Sequence, residues 1–190
     1  MSLKINNLKK SFGDAEILND FSFEFETSGA YIILGESGVG KTTLLRIIAG
    51  LDTEYVGTVE NGGIANISFM FQEYRLFPAL NALQNVLLAR EGASADEVEA
   101  LLLQLGFKKE DLKKKPRQLS GGMKQRVAFS RAIMRHAPIL LLDEPTKELD
   151  SDTAKNMLEI INEEAKKRLV IIVTHDDIVE KIDDTRVIRL

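Results

Sequence analysis

The sequence has no cysteine, which excludes disulfides and thiolate chemistry and suits a reducing cytosol. It has no surplus of positive charge either. Twenty-five Lys and Arg stand against 29 Asp and Glu, a formal net charge of −4, so no basic field is available for gripping nucleic acid. Long hydrophobic runs are missing. Stretches such as Leu169–Val173 fall far short of the roughly 20 residues that span a bilayer, so any membrane role must come from a partner. Met1 to Lys10 mixes Leu and Ile with Lys and Asn, unlike the apolar core of a signal peptide. Internal repeats, low-complexity tracts and linkers are absent. With 190 residues, 44% hydrophobic and 28% charged, the chain reads as one globular domain spanning 1–190, with a real core.

What is present is an alternation of short apolar runs and helical stretches. Tyr31–Leu34, Ile67–Phe71, Ile139–Leu142 and Leu169–Val173 have the character of parallel strands buried on both faces. Helices are expected over Thr43–Ala49, Glu97–Leu105, Met123–Met134 and Thr153–Lys167, and a last strand over Arg186–Leu190. This order predicts an α/β fold with a mainly parallel sheet. Phe21-Ser22-Phe23-Glu24-Phe25-Glu26 alternates with period two, which predicts an antiparallel strand with one wet face near the N-terminus. From about Arg75 to Gln118 the apolar pattern is helical, and Ser94-Ala95-Asp96-Glu97 has the form of a capping box. This stretch reads as a helical subdomain inserted into the α/β core. Its basic end, Lys108–Lys109 and Lys113–Lys115, reads as a solvated surface.

Chemistry enters at Gly35-Glu36-Ser37-Gly38-Val39-Gly40-Lys41-Thr42, followed by Thr43. The pattern G-x-x-x-x-G-K-[ST] lies between a strand and a helix, the context that a phosphate-binding loop requires. Glycines let backbone wrap a phosphate closely, and the helix start adds N–H donors and a positive dipole end. Lys41 is placed to reach the β- and γ-phosphates of a nucleoside triphosphate, and the Thr42 hydroxyl to ligate Mg²⁺. Asp143 and Glu144 follow the strand Ile139–Leu142. The first suits the Mg²⁺ shell and the second the polarisation of an attacking water. His175 lies just beyond Leu169–Val173. Three strands thus deliver polar groups to one sheet edge, where ligands of open α/β sheets bind.

Leu119-Ser120-Gly121-Gly122-Met123-Lys124-Gln125-Arg126 resembles the signature sequence of the ABC ATPase superfamily. Its residues suit the role physically: Ser120 can cap the next helix, and Gly121 and Gly122 bare its first N–H groups to an anion. The resemblance covers nearly the whole chain and implies a P-loop NTPase fold with an N-terminal antiparallel β subdomain. It implies that this helix start meets the γ-phosphate of ATP held by a second ATP-binding subunit. Gln72 is similar to the Q-loop residue that senses Mg²⁺ and the γ-phosphate and couples to the membrane partner. His175 resembles the switch histidine, Asp150 the D-loop aspartate, and Phe12 the aromatic that stacks on adenine.

The chain departs from the family pattern at Lys147 and Glu148, where small residues usually precede the D-loop Leu-Asp. The helical subdomain is several residues shorter than usual, and no C-terminal regulatory domain is expected. The stretch from Gln72 through Arg75-Leu76-Phe77-Pro78 to Gln84-Asn85-Val86 is similar to the import ATPases of nitrate, sulfonate and taurine. The resemblance therefore implies an ATPase subunit of an importer, bound to a transmembrane permease at the cytoplasmic face of the membrane, with a solute-binding protein in the full system. Such a chain does not choose the substrate. The alternative within the superfamily is a soluble ATPase serving an assembly machine, such as iron–sulfur cluster building. A small kinase would not need Leu119–Gly122, a GTPase would carry Asn-Lys-x-Asp, and DNA-repair members would show sustained heptads.

Overall fold

The computed structural model describes residues 3–61, 67–175 and 182–190. Two sheets organise them. β1 (Leu3–Phe12), β2 (Ala15–Phe25) and β4 (Val56–Glu60) form an antiparallel sheet in the order β2-β1-β4. β3 (Gly29–Leu34), β5 (Ile67–Met70), β6 (Ile139–Asp143), β7 (Leu169–Val173) and β8 (Arg186–Arg189) form a parallel sheet ordered β5-β6-β7-β3-β8. Helices α1 (Lys41–Ile48), α4 (Gly121–Met134) and α5 (Ser151–Ala165) connect the parallel strands, while α2 (Ala82–Leu87) and α3 (Ala95–Gln104) build the helical region.

The continuous apolar runs become central strands because both sides of them are covered. All five residues of β6 and of β7 are buried. Their period-two alternation divides the core into two layers. Tyr31, Ile33, Leu141 and Ile171 face α1 and the antiparallel sheet, in a cluster with Leu44, Ile48, Leu8 and Phe25. Ile32, Leu140, Leu142 and Ile172 face the other way, against Phe129 of α4 and Met157 and Ile161 of α5. β2 has the expected wet face: Glu16, Ser22 and Glu24 are exposed, whereas Leu18 and Phe25 are buried.

The helical region closes around a third apolar cluster, in which Val86, Val98, Leu102 and Phe107 meet Val127 and Met134 of α4. Its caps differ from expectation. Ser94 does start α3, but its side chain accepts from Asp96 N, and Glu97 turns outward to an ion pair with Arg90 at 2.5 Å. With Arg90 and His136 beside its two carboxylate oxygens, Glu97 does not close the box on Ser94. A reciprocal box forms one helix earlier, between Asn81 and Gln84. The basic end is solvated as the sequence predicts: Lys108, Lys109, Lys113 and Lys115 are exposed, and Lys114 pairs with Asp111 at 2.6 Å.

Asn85 holds the entry to this region. It is 0% exposed, accepts from Phe77 N at 2.8 Å, and donates to the carbonyls of Phe77, Leu80 and Asn81 at 3.0–3.2 Å. Replacing it with Ala takes the partner from the Phe77 amide and the Leu80 carbonyl, while the Phe77 and Asn81 carbonyls keep the amides of Leu80 and Asn85. Asn85→Ala is expected to cost about 2–4 kcal/mol of folding stability and to lower Tm by roughly 5–15 °C, read by differential scanning calorimetry. An unchanged Tm would show that water replaces the amide without loss.

Candidate active site

The loop between β3 and α1 is shaped by a close approach. Gly40 caps α1 with φ 110°, and a Cβ there would come 2.5 Å from Ile17 Cγ2 of β2. Only glycine allows the β1–β2 hairpin to press so closely on the phosphate loop. Lys41, the first residue of α1, is almost fully buried, and its ammonium donates to the carbonyls of Gly35 (2.8 Å) and Glu36 (2.9 Å). The same hairpin carries Phe12. Far from joining the core, Phe12 is 56% exposed, with the Lys10 ammonium 4.7 Å from its ring centre. Lys10 is itself pinned by Asp52 at 2.8 Å and by the Glu54 carbonyl.

β6 delivers Asp143 beside α1. The Thr42 hydroxyl donates to Asp143 Oδ2 at 2.9 Å, across the cleft between the two elements. Asp143 Oδ1 is buried and accepts no hydrogen bond from any described residue. Burial, opposed by the Thr42 hydrogen bond, pushes the Asp143 carboxyl up to about 6. A buried carboxylate with a vacant lone pair, next to a hydroxyl and an anion-binding loop, is the donor set of a hard divalent cation. These residues therefore fit Mg²⁺.

Glu144 follows in a left-handed conformation, φ 50°, which for a glutamate is a strained turn of the kind found at functional sites. Its own amide is fixed to the carbonyl of Val173, the last residue of β7. Glu144 Oε2 accepts from the His175 amide at 3.3 Å, and Oε1 lies 3.5 Å from His175 Nε2. The ends of β6 and β7 thus hold an acid and an imidazole as a pair.

A polar cavity of about 520 Å³ gathers Ser37, Gly38, Gly40, Lys41, Thr42 and Thr43 with Gln72, Asp143, Glu144 and His175. Gly35, Glu36 and Val39 complete the loop behind it. Ser120, Gly121, Gly122, Asp150 and Phe12 are not among its lining residues. Ser120 instead caps α4, accepting from Met123 N at 3.2 Å, and Asp150 caps α5, accepting from Thr153 N at 2.9 Å. Hydrogen bonding from the Thr153 amide and hydroxyl holds the Asp150 carboxyl below the usual range.

Two residues of the site were passed over in the sequence. Lys147 lines the cavity beside Lys41; its place in the departing D-loop was the only signal. Gln125 is nearly fully buried, and its amide donates to the carbonyls of Glu144 (2.8 Å) and Pro145 (2.9 Å). It ties α4 to the strained turn that carries Glu144. Its signal was its place in the signature sequence, a glutamine one turn inside the helix.

A parallel sheet with such a loop, a buried carboxylate opposite it and a strained acid beside a histidine defines a P-loop nucleoside triphosphatase. The model of the ABC transporter family matches residues 18–147. That is more than half of the chain, and the chain belongs to this family. It is an ABC ATPase, the ATP-binding component of a transporter.

The aliphatic sulfonates import ATP-binding protein SsuB of Bacillus licheniformis is 41% identical over 192 residues, covering 93% of this chain and 74% of that protein. HrtA of Staphylococcus epidermidis, named as an ATP-binding protein for hemin import, is 37% identical over 216 residues, covering 100% and 96%. A solved dimer of an ATP-binding cassette in a post-hydrolysis state, bound to ADP and Pi, matches with a TM-score of 0.79 at 31% identity, covering 92% of this chain and 88% of its own. Among the described residues no helix is long and apolar enough to cross a membrane.

Gln125 offers a test of how the turn is held. Gln125→Leu keeps the volume and removes both hydrogen bonds. ATP hydrolysis is expected to fall roughly 10- to 100-fold, the scale of a misplaced catalytic group, with ATP affinity nearly unchanged. A loss of affinity as large as the loss of rate would make Gln125 a general structural support.

Proposed function

We propose that two copies of this chain enclose ATP between them, each ATP lying between the Lys41 loop of one copy and the Ser120–Gly122 helix start of the other. The observation that carries this reading is the separation of the two phosphate-suited helix starts within one chain. α1 opens into the cavity and α4 does not. The α4 start is capped and glycine-lined, and it needs a phosphate from elsewhere. The dimeric state of the ADP-bound relative supports the same arrangement.

In this reading Lys41 leaves the Gly35 and Glu36 carbonyls for the β- and γ-phosphates, and Phe12 stacks on adenine from the hairpin. Thr42, Gln72 and Asp143 hold Mg²⁺, which when bound neutralises phosphate charge. Glu144 accepts a proton from the attacking water, and His175, paired with it, contacts the γ-phosphate. Asp150 keeps the loop before α5 in place at the dimer face. The whole chain acts as one cassette, with 75–118 as its helical subdomain.

The partner reading rests on a groove. Leu51, Phe77 and Leu88 are exposed, and together with Phe69, Phe71, Arg131 and Arg135 they line an apolar hollow of about 520 Å³. A transmembrane permease that lays a short cytoplasmic helix there covers the apolar surface and places this chain at the membrane's cytoplasmic face. The import relatives support an importer, with the solute chosen by the permease and a solute-binding protein.

Glu144→Gln removes the base and leaves the binding charges. Hydrolysis is expected to drop at least 100-fold while ATP binding persists and a dimer accumulates on size exclusion. Loss of nucleotide affinity instead would make Glu144 a metal ligand. Complementation tests the shared sites. Lys41→Ala and Gly121→Asp are each expected to be inactive, and mixing them restores one intact composite site and measurable hydrolysis. Mixed dimers that form yet stay inactive would overturn the trans arrangement.

A further inference from the structure

Glu148 departs from the family pattern, and the fold puts it against the start of α4. A Cβ on Gly121 would overlap the Glu148 carboxylate, and one on Gly122 would come 3.0 Å from the Glu148 carbonyl. The carboxylate is held there from the other side, because the Tyr74 hydroxyl donates to Glu148 Oε2 at 2.7 Å. Glu148 itself sits at φ 65°, a conformation that strains a non-glycine residue and that the surrounding contacts must sustain.

We propose that Glu148 is a competitor built into the chain: its carboxylate, clamped by Tyr74 over Gly121, blocks the approach to the Ser120–Gly122 helix start until the ATP of a second copy displaces it. The inference rests on the trans arrangement proposed above. A helix start attracts one anion through its partial positive charge. A carboxylate already there removes part of that attraction and repels an arriving γ-phosphate. A neutral small residue at 148 would leave the same helix start open.

The clamp also has a handle. Tyr74 and Arg75 offer their carbonyls to Arg131, at 3.1 and 2.8 Å, and Arg131 lines the apolar groove. A partner seated in that groove therefore bears on the segment that holds Glu148. This makes ATP-driven pairing of free chains weak and lets the partner release it.

The test uses the full chain in a Glu144→Gln background, which stops hydrolysis, with Mg²⁺-ATP titrated and dimerisation followed by light scattering. Glu148→Gln keeps shape and acceptor but removes the charge; Glu148→Ala removes both. The exposed side chain makes folding insensitive to either change, which an unchanged Tm verifies. Each is expected to lower the ATP concentration for half-maximal dimerisation about tenfold. Tyr74→Phe is expected to lower it severalfold alone and to add nothing in the Glu148→Ala chain, a non-additivity that mere loosening of the Tyr74 segment would not produce. Midpoints equal to or above the parent's for both Glu148 variants would overturn the inference and make Glu148 an ordinary interface residue, while leaving the trans arrangement standing. Failure of every chain, the parent included, to dimerise with ATP would overturn the trans arrangement and this inference with it.

Discussion

Five parallel strands must all end at the same edge, and the site depends on that constraint. Parallel pairing of β3, β6 and β7 brings the loop after Leu34, the acids after Leu142 and the histidine after Val173 to one side of the molecule. The Thr42–Asp143 hydrogen bond then fixes α1 relative to β6 at the mouth of the loop. No single loop could hold these groups in register. The rigid sheet sets their spacing, and the loops supply only the last few ångströms.

Helix α4 extends that order away from the sheet. One of its residues, Gln125, grips the turn of Glu144 and Pro145, and another, Arg131, grips the Tyr74–Arg75 backbone. Its remaining face packs into both the α/β core and the helical cluster. A displacement of α4 therefore changes the strained turn of Glu144, the Gln72–Arg75 segment and the Ser120 helix start together. Rigid helices that contact several sites at once transmit motion between them without any softer relay.

The parallel core and the phosphate loop were legible in the sequence because each is local. A continuous Val/Ile/Leu run needs only its own residues to read as a buried strand, and the glycine-lysine loop needs only its flanking strand and helix. The features that escaped are those set by distant partners. Ser94 and Glu97 spell a capping box, yet the glutamate lies beside Arg90 and His136, and nothing in a four-residue pattern reveals that. Asn85 read as part of a family likeness, while its work is to satisfy a turn from Phe77 to Asn81. Phe12 is a lone aromatic of the kind that usually lies in a core. Its exposure follows from its place at the tip of a hairpin, beside a buried lysine that Asp52 anchors from across the loop. Glu148 read as an oddity in a loop of small residues, because its partners Tyr74 and Gly121 lie far away in the chain.

A chain of net charge −4 that binds a polyanion poses a question that total charge does not answer. The loop offers instead local dipoles and one nearly buried ammonium, which act at short range and are poorly screened. In the free chain most polar groups of the site already have internal partners, Asp143 Oδ1 excepted. Lys41 sits on two carbonyls, Thr42 on Asp143, Glu144 on His175 and Glu148 on Tyr74. Nucleotide binding is then an exchange of partners, and only the difference between old and new contacts appears as affinity. Such exchanges are individually small and depend on every group moving at once. A site arranged this way changes little while any one exchange is incomplete and most when all its elements move together.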